Sequence, residues 1–203
     1  MTVSTPTLPL LTERGIHAGR SVLVTGTGPV GVATARAFAA SGASVALAGL
    51  DDLALLRTMR VIERRRGRAI PLPGDLRDPE SINRVVAGAR ESFGGLDFAV
   101  NTIGAVNGPR SAPDGACRGV YLAMRSELPA IAASGGGVIV NAAPPPAGRH
   151  AEDGQCIVGL SRAAANDYAE CGVRVNAVTT GSGGAGDFAA AALRLCSDTT
   201  YRS

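Results

Sequence analysis

The 203-residue sequence contains no lysine and no tryptophan, and aromatic residues make up only 3% of it. So few aromatic rings argue against a surface that stacks on sugars or on nucleic-acid bases. The net charge of +3 is too small to suggest a nucleic-acid partner. No apolar run approaches the length of a membrane span. We therefore expect a globular protein that binds neither nucleic acid nor membrane.

The four cysteines, Cys117, Cys156, Cys171 and Cys196, lack the CxxC and Cys/His spacings of metal sites. This pattern predicts no metal site and reduced, mostly structural thiols. The segment from Met1 to Leu11 has no basic region followed by a long apolar core, so no signal peptide is predicted. We expect a cytoplasmic protein with one domain over residues 1–203, in which residues 1–18 form a partly ordered N-terminal extension.

Strand-like and helix-like segments alternate along the chain. Short apolar, β-branched runs predict strands at 21–25, 44–48, 69–71, 97–100, 137–140 and 173–178. Apolar residues at helical spacing predict helices over 30–41, 51–68, 79–93, 115–133, 155–169 and 187–196. Strands that take turns with helices form a parallel sheet covered on both faces. The sequence therefore predicts an α/β, Rossmann-type doubly wound parallel sheet of about six strands.

The first predicted strand leads into a glycine turn, GTGPVG, at positions 26–31. A GxGxxG between a strand and a helix allows a tight turn and brings backbone N–H groups close to a pyrophosphate. Gly26, Gly28, Val30 and Gly31 are therefore candidate dinucleotide-binding residues. The other interpretation is that these glycines serve only helix–strand packing. After the second strand stand Gly49 and Leu50, with Asp51 later than a ribose-binding acid is expected, so NAD and NADP are not distinguished.

Further motifs follow in order, namely LVTGTGPVGVATARAFAASGASVALAG, LDFAVNTIG, RGVYLAMRSELP, GGGVIVNAA, VGLSRAAA and GVRVNAV. In that order they resemble the short-chain dehydrogenase/reductase family over nearly all of Ser21 to Ser203. The resemblance implies an NAD(P) site with Asp75 and Leu76 beside the adenine, and Asn101 and Gly104 at the end of the fourth strand. It also implies a homodimer, or a heterodimer with a relative, through helices 115–133 and 155–169. The family's final strand is expected to be missing.

Members of this family use a serine, a tyrosine and, four residues later, a lysine, commonly with an asparagine from the preceding helix. The tyrosine is the acid/base, the lysine lowers its pKa and holds the ribose, and the serine holds the substrate oxygen. The flanking motifs place Pro144, His150, Gly154 and Ala116 at the serine, tyrosine, lysine and asparagine positions. The tyrosines of this chain, Tyr121, Tyr168 and Tyr201, lie elsewhere in the sequence. The resemblance thus implies a degenerate member, in which the usual carbonyl reduction is not expected.

Two functions remain open on these residues. The first is a pseudoenzyme, a subunit that supports a partner or a pathway enzyme, with or without a bound dinucleotide. The second is a repurposed enzyme (an isomerase, dehydratase, cyclase or atypical NAD(P)-dependent oxidoreductase) with His150 as acid/base, oriented by Glu152, Asp153 or Asn101. His150 also fits a solvated loop residue. Cys156, close after His150, is expected to be a buried helix residue rather than a nucleophile.

Overall fold

The computed structural model describes residues 15–103, 115–145, 150–180 and 184–197, and these form a single parallel sheet with helices on both faces. The sheet order is β3-β2-β1-β4-β5-β6. The strands are β1 (Ser21–Thr25), β2 (Ser44–Gly49), β3 (Arg68–Pro73), β4 (Phe98–Asn101), β5 (Gly137–Ala143) and β6 (Val173–Thr179). All five neighbouring pairs are parallel. The six-stranded Rossmann-type sheet predicted from the sequence is confirmed.

Within the described residues, six helices connect and follow these strands, and two of them begin at a side-chain cap. They are α1 (Pro29–Ala40), α2 (Asp52–Arg64), α3 (Pro79–Phe93), α4 (Ala116–Ala133), α5 (Ala151–Asp167) and α6 (Gly184–Ser197). The side chains of Asp51 and Asp78 accept the backbone N–H groups of Ala54 and Ser81 and so start α2 and α3. Gly94, at a φ of 77°, ends α3 in the left-handed conformation that glycine tolerates best.

Each face of the sheet has its own hydrophobic core, because alternate strand residues point to opposite sides. Val22 and Val24 pack with Phe38 of α1 and with α2 and α6 on one face. Leu23, between them, packs with α3, α4 and α5 on the other face. The helices therefore hold the strands from both sides and fix the positions of the strand ends. Among the described residues, no helix is both long and apolar enough to cross a membrane.

Two helices begin earlier than their apolar patterns predict. α5 begins at Ala151 rather than 155, and α6 begins at Gly184 rather than 187. The first turn of α5 contains Glu152 and Asp153, and acidic side chains favour a helix N-terminus. No apolar residue marks this turn, so a prediction based on apolar spacing starts the helix too late. As a result His150 occupies the cap position of α5, where it is half-buried.

The described end of the N-terminal extension packs onto the domain. The ring of His17 lies 5.4 Å from the rings of both Phe38 and Phe98, measured between centroids. Its two nitrogens form hydrogen bonds with Ser41 Oγ at 2.9 Å and Ser197 Oγ at 3.1 Å. Burial and, to a lesser degree, the charge of Arg20 lower the pKa of His17. His17 therefore ties the extension to the ends of α1 and α6.

Candidate functional site

The candidate site lies at the carboxyl ends of β1 and β4, where the strand order reverses. In sheets of this order, dinucleotides bind in the crevice that opens at this point. Two hydrogen bonds join the ends of these two strands: Thr102 N–H and Thr102 Oγ1 each donate to the carbonyl of Thr25 at 2.8 Å. The turn predicted to hold a pyrophosphate follows Thr25 directly.

The glycine turn is packed so closely that two of its positions exclude any side chain. A Cβ on Gly31 would lie 1.9 Å from the carbonyl oxygen of Gly26. Gly26 has a φ of 108°, and a Cβ there would lie 2.6 Å from Thr102 Oγ1. Packing therefore accounts for these two glycines, as one of the two interpretations expected, and it also brings the start of α1 against the end of β4.

The start of α1 has the features of an anion site. Gly28 is its cap and offers no side-chain hydrogen bond, Pro29 is at the first helical position, and the first turn contains no acid. The N–H groups of a helix's first turn have no partner inside the helix, and the dipole there favours negative charge. The N–H groups of Val30 and Gly31 therefore suit a pyrophosphate. The residues present at this end fit the pyrophosphate of a dinucleotide.

On the side of the crevice predicted to hold the adenosine, two acidic side chains already have partners within the protein. Asp51 caps α2. Asp75 is bound by Arg77, with Nε to Oδ1 at 3.1 Å, and this hydrogen bond lowers the pKa of Asp75. Leu76 is buried, with 8% of its surface exposed. The structure thus gives no preference between NAD and NADP, and the roles of Asp75 and Leu76 stay predictions.

Asn101 belongs to a network of buried side chains beneath the crevice, which we call the polar floor (Thr25, Asn101, Glu127, Asn141 and Ser161). Asn101 accepts from Thr25 Oγ1 at 2.6 Å and donates to Glu127 Oε2 at 2.8 Å and Asn141 Oδ1 at 2.9 Å. Asn141 in turn donates to Ser161 Oγ at 2.9 Å. The polar floor joins β1, β4 and β5 to α4 and α5. The amide of Asn101 is therefore committed to the interior, and cofactor binding by this residue stays a prediction.

Glu127 is the charged member of the polar floor and is wholly buried. Its Oε2 accepts the amide of Asn101, whereas Oε1 has no hydrogen-bond partner among the described residues. Burial raises the pKa of Glu127 to about 7, and the bond from Asn101 opposes part of that rise. Around neutral pH this carboxyl group therefore exists in both its protonated and its ionised form.

The residues placed at the family's catalytic positions lie around the start of α5. His150 is half-buried at its cap, and a Cβ on Gly154 would lie 2.4 Å from the carbonyl oxygen of Pro144. Of the groups expected to orient His150, Asp153 accepts Cys117 N–H at 3.1 Å and Asn101 belongs to the polar floor, whereas Glu152 is exposed. Catalysis by His150 stays a prediction.

A disulfide joins Cys117 of α4 to Cys156 of α5, with the two Cα atoms 6.0 Å apart. The expectation of reduced thiols is therefore wrong for this pair, although Cys171 and Cys196 are free. Cys156 is also exposed rather than buried, because the buried face of α5 is formed by other residues, namely Asp153, Gly154, Ile157, Ser161 and Ala164. Within the described ranges, no three side chains of the metal-binding types cluster together.

Gly104, one of the predicted cofactor-binding residues, lies outside the described residues, as do Pro146 and Tyr201. A cavity of about 530 Å³ lies at the opposite, amino edge of the sheet, bordered by Arg20, Phe98, Gly137 and Val173. It is separate from the crevice at the strand carboxyl ends, so we do not assign it to the dinucleotide.

Comparison with known proteins identifies the family. Residues 27–184 match the family profile described as Enoyl-(Acyl carrier protein) reductase. The chain belongs to the short-chain dehydrogenase/reductase family. It is 32% identical over 185 residues to 2,5-dichloro-2,5-cyclohexadiene-1,4-diol dehydrogenase of Sphingobium indicum, covering 81% of this chain and 73% of that one. It is 31% identical over 183 residues to cyclohexanol dehydrogenase of an Acinetobacter species, covering 78% and 71%.

Solved structures of short-chain dehydrogenases agree with this assignment. A short chain dehydrogenase from Mycobacterium smegmatis superimposes with a TM-score of 0.80 at 28% identity, covering 93% of this chain and 90% of that chain. A metagenomic short-chain oxidoreductase in complex with NADP superimposes with a TM-score of 0.80 at 25% identity, covering 92% of this chain and 94% of that chain. Nicotinamide dinucleotide binding is therefore plausible for this member of the family.

The pseudoenzyme expected from the sequence is wrong on these comparisons, as are the isomerase, dehydratase and cyclase named in its alternative. The relatives carry the names of dehydrogenases and reductases, and the structural neighbours are short-chain oxidoreductases. They indicate an ordinary oxidoreductase. The pseudoenzyme was expected because the family's catalytic side chains are absent at four positions. Their absence does not show which of the residues that are present carry out the reaction.

Sequence reasoning missed two features of the site. Glu127 lies three residues after Met124 and four before Ile131, inside the apolar stripe of α4, and this position signals a buried acid. Cys117 and Cys156 are 39 residues apart on different helices, so no spacing signal could pair them.

Proposed function

We propose that this short-chain dehydrogenase/reductase is an NAD(P)-dependent oxidoreductase that interconverts a secondary alcohol and a ketone. The observation that carries the proposal is the start of α1, which has no side-chain cap and is held against the end of β4 by the close approach of Gly26 and Gly31 to Thr102. Gly26, Gly28, Val30 and Gly31 hold the pyrophosphate, and Asp75, Leu76, Asn101 and Gly104 line the rest of the dinucleotide site. A bound nicotinamide dinucleotide would supply the hydride acceptor or donor.

Alicyclic alcohols are the substrate class to test first. Cyclohexanol and a cyclohexadiene diol are named in the relatives that are 31% and 32% identical. Support from the site itself is general: the apolar Pro144 after β5 packs against Gly154 in the first turn of α5, and the polar His150 caps the same helix. Such a mixture suits a ring carrying one hydroxyl group.

Proton transfer in this protein does not use the serine, tyrosine and lysine of the family. The chain contains no lysine, and Gly154 packs against the Pro144 carbonyl with no room for a side chain. Tyr168 ends α5, about 25 Å from its start at 1.5 Å per residue. Tyr121 of α4 is 48% exposed. His150 is the acid/base of this proposal, because an imidazole ring can both accept and donate a proton and this side chain caps the helix whose first turn packs against Pro144 after β5.

Two further features belong to the proposal. The first is a dimer interface formed by α4 and α5 around the exposed Tyr121 and Val158. These two helices correspond to the ranges 115–133 and 155–169 of the sequence prediction. The partner is a second copy of this chain, and light scattering after gel filtration measures the mass. The cytoplasmic location predicted from the sequence also stays a proposal.

The test is calorimetric titration with NADH and NADPH, followed by turnover of cyclohexanol measured by nicotinamide absorbance. We expect one of the two dinucleotides to bind and turnover to follow. His150→Gln should lower kcat on the order of 100-fold. The control variant Glu170→Gln, at an exposed position beyond α5, should leave kcat unchanged. Absence of binding to either dinucleotide refutes the oxidoreductase, whereas full activity of His150→Gln refutes only the role of His150.

A further inference from the structure

The disulfide between Cys117 and Cys156 spans the two helices that begin at the rim of the crevice. Cys117 lies in the first turn of α4 and Cys156 in the second turn of α5. Cys156 is exposed and Cys117 is half-buried, so a dissolved thiol can reach the bond. Exposed disulfides are more easily reduced than buried ones and are the ones used in regulation.

We propose that Cys117 and Cys156 form a reversible thiol–disulfide site, opened by a low-molecular-weight thiol, that controls the mobility of the crevice rim. The bond complements the non-covalent contact at the same place, the hydrogen bond from Cys117 N–H to Asp153 Oδ1 at 3.1 Å. Asp153 precedes Gly154, whose backbone rests on the carbonyl of Pro144 at the end of β5. The disulfide thus stabilises the chain of contacts that positions the first turn of α5, including its cap residue His150.

Tyr121 of the proposed dimer interface follows Cys117 by four residues and shares its face of α4, but the sulfur of Cys156 on α5 stays accessible. Successive residues of an α-helix are rotated by about 100°. Val158 follows Cys156 by two residues, so the two side chains leave α5 in directions about 160° apart. An interface centred on Val158 therefore does not cover the sulfur of Cys156.

The exchange chemistry balances with two equivalents of an external monothiol. The external thiolate attacks the exposed Sγ of Cys156, the bond between the protein sulfurs breaks, and its electron pair leaves on Sγ of Cys117, which takes a proton from water. A second thiolate attacks the external sulfur of the mixed disulfide and releases Cys156, which also takes a proton. The two protein sulfurs are reduced, and the two monothiols are oxidised to their disulfide. Excess oxidised monothiol reverses both steps.

Opening the bond leaves the first turns of α4 and α5 joined by the Asp153 hydrogen bond and the core contacts beneath them. Their backbone amides should therefore exchange with solvent faster in the reduced protein, by on the order of tenfold. A change in turnover on reduction rests on the proposed function, because it requires that the rim borders a working catalytic site. The disulfide and the amide exchange do not rest on it.

The experiment equilibrates the full chain with graded ratios of reduced and oxidised glutathione, then alkylates it under denaturing conditions and measures its mass. We expect two alkylated cysteines, Cys171 and Cys196, at the oxidising end and four at the reducing end. Hydrogen exchange of both end states should show the faster amides in the first turns of α4 and α5. Cys156→Ser should exchange like the reduced protein at every ratio, whereas Cys171→Ser, at an exposed free cysteine, should behave like the unaltered chain.

Four alkylated cysteines at every ratio, or a bond that glutathione cannot open in the native protein, would overturn the proposal. Equal exchange at both helix starts in the two end states would also overturn it. If the exchange differs as expected but neither state turns over cyclohexanol, the redox site stands and the proposed oxidoreductase fails.

Discussion

Glu127 should make the stability of this protein fall as the pH rises through the neutral range. The carboxyl group has an ordinary pKa of 4.5, and burial raises it to about 7 in the folded chain. Between these values the unfolded chain releases the proton and the folded chain keeps it, so unfolding becomes more favourable. The stability is fully present below pH 4.5, is lost progressively up to about 7, and is then constant. A pKa difference of one corresponds to about 1.4 kcal/mol, so the total loss is about 3 kcal/mol.

Glu127→Gln removes this titration and keeps an oxygen that can accept the amide of Asn101. Urea unfolding at pH 5, 6, 7 and 8 gives the free energy of unfolding of both proteins. From the acidic to the alkaline end of this pH range, the free energy of unfolding of Glu127→Gln should rise by up to about 3 kcal/mol relative to that of the unaltered chain. Because His17 is unchanged, its titration contributes about equally to both proteins.

The control for this series is Glu91→Gln, at an exposed position on α3. The difference in the free energy of unfolding between Glu91→Gln and the unaltered chain should not vary with pH. If the curves of Glu127→Gln and the unaltered chain run parallel over the whole range, Glu127 does not hold its proton more tightly in the folded state. The account of the polar floor would then need a buried partner for Oε1.

Three other predictions concern the turn, the disulfide and the extension. Gly31→Ala should abolish dinucleotide binding by calorimetry, because its Cβ would lie 1.9 Å from Gly26 O, whereas Gly159→Ala, with open space around the Cβ, should bind normally. Dithiothreitol should lower the free energy of unfolding in urea by about 4 kcal/mol for a bond that closes a loop of 39 residues, and should not affect Cys156→Ser. As the pH falls below 6.5, the melting temperature of His17→Gln should fall less than that of the unaltered chain. The folded chain holds His17 neutral, whereas in the unfolded chain it takes up a proton. An equal fall in both proteins would contradict this.

The fold was predictable because its signals are local and repeated. Each strand is a short apolar run, and helices such as α3 have an apolar stripe between a cap and a stop. The start of α5 was not predictable in this way. Its first turn reads AEDG, and it is a helix because acids favour that end and because Gly154 can approach Pro144.

The site was only partly predictable. The glycine turn has a spacing that itself encodes its geometry, so Gly26 and Gly31 could be found from the sequence. Asn101 was found through the family resemblance at the end of β4, but its side chain is used by Glu127 and Asn141, partners 26 and 40 residues away. Pairings between distant elements, such as these and the disulfide, leave no periodic signal in one sequence.

The polar floor and the disulfide act on different parts of the crevice. The hydrogen bonds from Thr102 Oγ1 to the Thr25 carbonyl and from Thr25 Oγ1 to Asn101 fix the glycine turn beside β4 without involving α4 or α5 directly. The disulfide fixes the rim, where His150 begins α5. Reduction should therefore change turnover while the dinucleotide dissociation constant, measured by calorimetry with and without dithiothreitol, stays the same within about twofold. A large change in that constant would show that the rim and the turn are coupled through the polar floor, whose Glu127 and Ser161 belong to α4 and α5.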